Sequence, residues 1–142
     1  MISQTAEYAL RAAVHLAANP DSGPAAAKDI ADAVQVPVGY LQKVLRMLCQ
    51  HDLLIASRGA TGGFVLARPA ESISVLDVLR AADNPLPRIE RCPLGRPCHK
   101  QLCPLHKLLD EQMQRAELAF ASASIRDLVD RPGNRSGIHG LG

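Results

Sequence analysis

The 142-residue chain has no tryptophan, two tyrosines and two phenylalanines. A core without aromatic bulk must be filled by Ala, Leu, Val and Ile, and stretches rich in Ala and Leu favour helix. No apolar run reaches the length of a membrane-spanning helix, which excludes a helical membrane protein. The first ten residues lack a basic n-region and a cleavage pattern, so no secretory signal is expected and the expected compartment is the cytoplasm. Charge of one sign is scarce too: the formal net charge is +2. That excess is compatible with nucleic acid but too small to argue for it alone. There is no nucleophile–base pairing, phosphate loop or metalloprotease motif, so an enzyme is not expected. Internal repeats are also missing.

Hydrophobic residues make up 47% of the chain, enough for one core plus a helical arm. Ala6, Leu10, Ala13, Val14 and Ala17 recur at helical steps and predict a helix over 3–18. The run Asn19 to Pro24 reads as a turn. A short helix over 26–34 follows, then a break at Val36-Pro37. A second helix over 38–51 turns Leu41, Val44, Leu45 and Leu48 inward. Residues 53–57 and 64–66 read as strands around the Gly-rich turn 58–63. Ser74 and Asp77 form a capping-box pattern that opens a helix over 75–82. A long helix is expected over 104–122, with Leu109, Met113, Ala116, Phe120 and Ala123 as a heptad-like seam for another helix, such as a second subunit's. The expected fold is mainly α with a small β-hairpin wing: a winged helix-turn-helix plus a long C-terminal dimerisation helix. The division is 1–83 for the DNA-binding domain, 84–104 for a cysteine-rich loop, 104–130 for the dimerisation helix and 131–142 for a polar, disordered tail.

In such a fold the second helix of the motif enters the major groove, and its leading residues meet base edges. Here those are Val38, Gly39, Tyr40, Gln42 and Lys43. Gln42 could pair with adenine, Lys43 could contact guanine or phosphate, and Tyr40 could bind phosphate or stack. Arg46, one turn on, would meet the backbone. In the wing, Arg58 with Gly59 and Thr61 is the candidate minor-groove contact, since a thin loop can carry a guanidinium there. Gly59, Gly62 and Gly63 would permit the tight turn. Singly, these charges could equally be a solvated face; turn, helix and wing together point to DNA. The Gly-rich turn joins two strands and precedes no helix, so it is not a nucleotide loop.

The four cysteines are Cys49, Cys92, Cys98 and Cys103. Cys49, late on the motif's second helix, reads as a small core residue. The other three fall within twelve residues, separated by five and four. In a reducing compartment such a cluster reads as metal or redox chemistry rather than disulfides. Soft thiolates select zinc, copper(I) or iron–sulfur clusters. Arg91, Arg96 and Lys100 would favour thiolates, and Pro93, Pro97 and Pro104 would stiffen the loop. Cys92, Cys98, Cys103 and His106 could also close a zinc site, so the spacing alone does not choose the metal. His99 reads as a loop residue.

Four stretches together resemble the Rrf-type winged-helix regulators, the family of IscR and NsrR. They are Glu7 to Arg11, Tyr40 to Leu45, Arg58 to Phe64 and the three-cysteine loop, and the likeness runs from Met1 to about Asp130. The resemblance implies a homodimer on a roughly palindromic double-stranded operator. It implies a 2Fe-2S or 4Fe-4S cluster on Cys92, Cys98 and Cys103. It offers two further ligands: His106, at the place of a histidine in the iron–sulfur-assembly branch, and Glu7, at the place of a carboxylate that reaches across from the partner in the nitric-oxide branch. Glu7 is favoured, because a ligand on the first helix couples the cluster to dimer geometry. The second cysteine gap has four residues where the family has five, which leaves Cys98 the least secure ligand. The expected function is a repressor whose operator affinity follows a cluster sensing nitric oxide, redox state or iron–sulfur status. The alternatives are a winged-helix regulator with structural zinc or no metal, and a redox or metal-handling module that never binds DNA.

Overall fold

The computed structural model describes residues 2–90 and 102–131. All of the tail expected over 131–142 except Arg131, and the loop residues Cys92, Cys98 and His99, lie outside the described residues.

Helix α1 (Gln4–Ala18) starts where the Ser3 hydroxyl accepts from the Ala6 amide at 3.1 Å. Its buried positions are mostly alanine: Ala6, Ala9, Ala12, Ala13 and Ala17, with Val14 and Leu16. Small side chains let other helices approach closely, and α1 becomes the central rod of the fold. Helices α2 (Ala27–Val34), α3 (Val38–Gln50), α4 (Val75–Ala81) and α6 (Ile125–Asp130) all pack on it.

Between α2 and α3 the chain turns through Gln35 in the left-handed region, buries Val36 and enters α3 behind Pro37. Helix α3 presents Leu41, Val44, Leu45 and Leu48 to the core, as the spacing predicts. Strand β1 (Leu54–Ser57) then pairs antiparallel with β2 (Gly63–Leu66), Leu54 opposite Leu66 and Ser57 opposite Gly63. A contact the sequence does not announce anchors this hairpin. Ala25, just before α2, exchanges two backbone hydrogen bonds with Phe64, at 2.8 and 3.1 Å.

The capping box at α4 is present, with Ser74 and Asp77 bonded reciprocally at 2.9 and 3.0 Å. Helix α5 (Pro104–Ser122) runs as expected. Helix α6 was not foreseen, although Ser124 and Asp127 repeat the capping-box pattern of α4. It returns the chain to the core, where Ile125 is fully buried.

Of the seam expected on α5, Leu109 alone is fully outward. Phe120 and Ala123 pack on the chain's own core, and Met113 and Ala116 are half-buried. The exposed apolar residues are Leu105, Leu108, Leu109 and Leu118. The reason is electrostatic as well as apolar. Arg80 pairs with Glu117 at 3.1 Å and Arg88 with Asp110 at 2.8 Å, which turns the opposite face of α5 inward. Among the described residues no helix is long and apolar enough to cross a membrane.

Candidate DNA-reading surface and cysteine site

Helix α3 is amphipathic. With four aliphatic residues fixed inward, Gln42, Lys43 and Arg46 stand exposed on the outer face, where a groove-probing helix needs them. Val38, at the leading end, is 43% exposed, and Gly39 beside it leaves the backbone bare. In the wing, Arg58, Gly59 and Thr61 are all exposed. The hairpin tip depends on glycine for two different reasons. Gly59 has φ +104, a backbone that L side chains rarely adopt. Gly63 sits against the anchoring strand, and a β-carbon there would lie 2.4 Å from the Ala25 carbonyl oxygen.

Tyr40, also exposed, makes contacts that the sequence does not announce. Its hydroxyl meets the Thr5 hydroxyl on α1 in a short hydrogen bond. Its ring stands edge-on to Tyr8, with centroids 5.4 Å apart and planes at 87°. The chain's two tyrosines thus join the first turn of α3 to the first turns of α1. The Tyr8 hydroxyl accepts from Gln4 Nε2 at 2.7 Å, and the Arg11 guanidinium lies 5.7 Å from its ring centroid. Neither Thr5 nor Tyr8 was singled out from sequence; these are contacts between distant segments, with no local signature.

Glu7 is exposed and bonded to Arg11 Nη2 at 2.6 Å, one helical turn on. Arg11 also donates to the Val34 carbonyl at 3.3 Å, so the carboxylate faces a guanidinium held between α1 and α2. At the other candidate ligand, Cys103 is the N-cap residue of α5 and its Sγ lies 3.0 Å from His106 Nδ1. The i,i+3 step brings these two donors side by side. Among the described residues no group of three or more metal-ligating side chains assembles. Cys92 and Cys98, with Arg91, Arg96 and Lys100, fall outside the described residues. A thiol and an imidazole in contact, directly after a stretch carrying two more thiols, are a donor set that suits zinc or an iron–sulfur cluster.

The segment leading to this site is pinned. Arg88 Nε and Nη2 donate to the two oxygens of Asp110 at 2.8 and 2.9 Å, and the Ile89 amide donates to Asp110 Oδ1 at 2.8 Å. The Arg88 guanidinium, then the Ile89 amide, hold the Asp110 carboxyl down at about 2. Cys49 packs half-buried against the core as expected, and burial pushes its thiol up from its ordinary value.

A helix-turn-helix with an exposed polar and basic face, followed directly by an anchored hairpin with arginine at its tip, is the reading head of a winged-helix transcription regulator. Residues 2–131 match the Rrf2 family, described as iron-dependent transcriptional regulators, and the chain belongs to that family. Its members are transcription regulators rather than enzymes. A protein of Mycobacterium tuberculosis named as an HTH-type transcriptional regulator is 39% identical over 66% of this chain, and the matched stretch spans 58% of that relative. IscR of Xenorhabdus nematophila is 27% identical over 90% of this chain and 78% of its own length. The fold is similar to that of CymR, the global cysteine regulator of B. subtilis, with a TM-score of 0.79, 24% identity, and coverage of 91% of this chain and 95% of CymR.

Proposed function

We propose that this HTH-type regulator is a dimeric repressor whose hold on a palindromic operator depends on an iron–sulfur cluster. The observation that carries the reading is the 3.0 Å contact between Cys103 and His106 at the entry to α5, immediately after the segment bearing Cys92 and Cys98. Cys92, Cys98 and Cys103 would supply thiolates. His106 is the better-placed fourth donor within the chain. Glu7 of a second subunit is the other, and it would first have to leave Arg11. When bound, the cluster supplies a centre that nitric oxide, oxygen or iron shortage can alter.

The chain's own residues perform the rest. Gln42 and Lys43 face base edges, Arg46 faces phosphate, and Arg58 with Gly59 and Thr61 enters the minor groove. A second copy covers the outward leucines of α5, and two reading heads then address two half-sites. The cytoplasm is the compartment where both DNA and reduced thiols are met.

Protein purified without air should be coloured and contain iron and acid-labile sulfide. Its binding to an operator fragment should change when nitric oxide or oxygen bleaches the colour. Changing Cys103 to Ser or His106 to Ala should lower the iron content, and Glu7→Ala should lower it less. One zinc per chain with no sulfide would replace the cluster by a closed zinc site on the same donors. Equal operator affinity with and without the centre would end the sensing reading.

A further inference from the structure

The first turn of α3 has an unusual weakness for an element that must enter a groove. Among the described residues no side chain caps it: Pro37 holds the N-cap position, and it has no side-chain donor or acceptor to offer. Gly39, the second residue, is the most flexible that turn could carry. An uncapped helix end with glycine frays, and fraying here would blur the positions of Val38, Gln42 and Lys43.

Tyr40 occupies the third position of the same turn. It lies three residues before outward Lys43 and four before buried Val44, at the border between the outer face and the core. From that border it makes two contacts with α1: the hydroxyl–hydroxyl bond to Thr5 and the edge-on packing against Tyr8. Tyr8 is itself fixed by Gln4 and overlaid by Arg11. The tether therefore ends on the central rod of the fold.

We infer that Tyr40 is a positioning residue that stands in for the missing cap of the reading helix, so that Thr5 and Tyr8 govern operator discrimination without lying on the reading face. The inference rests on α3 being the helix that reads DNA. Losing the tether frays the leading turn. Contacts to base edges weaken, while phosphate contacts made by Arg46 and the wing persist. Specific binding falls and non-specific binding does not.

The test uses the full chain and an operator selected by the wild-type protein from random DNA. Thr5→Val and Tyr40→Phe should each weaken operator binding about five- to tenfold, the range of one hydrogen bond. The double variant should be no worse than either single one, because both remove the same bond. Affinity for random DNA and the salt slope should stay as in wild type, and Thr5→Ser should restore operator binding. Amide exchange over 38–41 should quicken in Thr5→Val, with the melting temperature unchanged within a few degrees. Three results overturn the tether: wild-type operator binding and exchange in Thr5→Val; additive effects in the double variant; or a salt slope in Tyr40→Phe reduced by about one, the signature of a lost phosphate contact. Lys43→Ala and Arg58→Ala serve as controls. If both bind like wild type, α3 is not the reading helix, and the inference falls for that separate reason.

Discussion

The reading head and helix α5 are built from the same aliphatic residues, yet they are finished differently. In the head, Leu41, Leu45 and Leu48 are at most 1% exposed, enclosed by a chain that folds around the alanine face of α1. In α5, Leu105, Leu108 and Leu118 are 61, 52 and 60% exposed, and none of the helix's residues is buried. The head encloses these leucines itself. The arm holds to the head through Phe120 and the Arg80–Glu117 and Arg88–Asp110 pairs, and leaves its leucines outward. Leu105, Leu108 and Leu109 share one side of α5, and such a cluster of exposed apolar side chains on a helix is the kind of surface a partner covers; under the proposed function that partner is a second copy of the chain.

The largest effect should come from confronting the two sets of leucines. Leu45→Ala removes a side chain with no exposed surface and should destabilise the head by about 2–5 kcal/mol, read as a shift in urea midpoint. The double change of Leu105 and Leu108 to Ser should move the same midpoint, measured at high dilution, by only about 0.5 kcal/mol per site. It should instead lower the molecular mass seen by light scattering towards that of a single chain. A midpoint shift for Leu105 and Leu108 as large as that for Leu45 would dissolve the contrast and put α5 in the core. An unchanged mass would place the dimer contact elsewhere.

A smaller effect separates the wing from both regions. Gly63→Ala drives a β-carbon into the Ala25 carbonyl on top of an unfavourable φ of +153, whereas at Gly59 the same change meets open space and only the backbone term remains. Gly59→Ala should cost about 1–2 kcal/mol, and Gly63→Ala more, with loss of the anchor at Phe64. Both should weaken operator binding, Gly63→Ala the more, while Lys43 and its helix remain folded by circular dichroism. Equal effects at the two glycines would mean that the Ala25–Phe64 pairing does not hold the wing.

Much of this head was legible because its signals are local. Helix α1, the α3 core face and the α4 capping box follow from periodicity and from residues three or four apart. Helix α6 carried the same Ser-x-x-Asp signal as α4 but is only six residues long, too short for periodicity to draw attention to it. The seam of α5 reads in the sequence as a contact for another helix, such as a second subunit's, and most of it lies instead against the chain's own fold, since amphipathic spacing says which residues share a face and not what covers it. Arg80 and Arg88 decide that, from segments 37 and 22 residues away in sequence. For the candidate site, the exposed Gln42, Lys43, Arg46 and Arg58 followed from helix and hairpin placement. Tyr40's bond to Thr5 did not, because it joins segments 35 residues apart. Adjacency of Cys103 and His106 was implied by their spacing, but its realisation needed the N-terminus of α5 to be placed.

The smallest effect tests the contrast by pH. In the head, burial lowers the His15 pKa from its ordinary value of 6.5. The unfolded chain therefore takes up that proton more readily than the folded one. The head's stability is full above about pH 6.5 and declines as the solution is acidified below it. In the arm, Asp110 is held at about 2 by Arg88 and the Ile89 amide, against an ordinary 3.8. Its contribution is complete above the ordinary value and is lost only as pH falls through about 2. Acid should thus reach the head well before it releases the arm. Between pH 7 and 5 the urea midpoint should fall slightly, and His15→Gln should flatten that slope. Over the same range the Asp110 carboxyl carbon should hold its NMR shift, titrating only near pH 2. A carboxyl that titrates near 4 would mean that Arg88 does not clamp the base of the cysteine segment, and the arm would then be tied to the head without that pair, through Phe120, Ala123 and the Arg80–Glu117 pair.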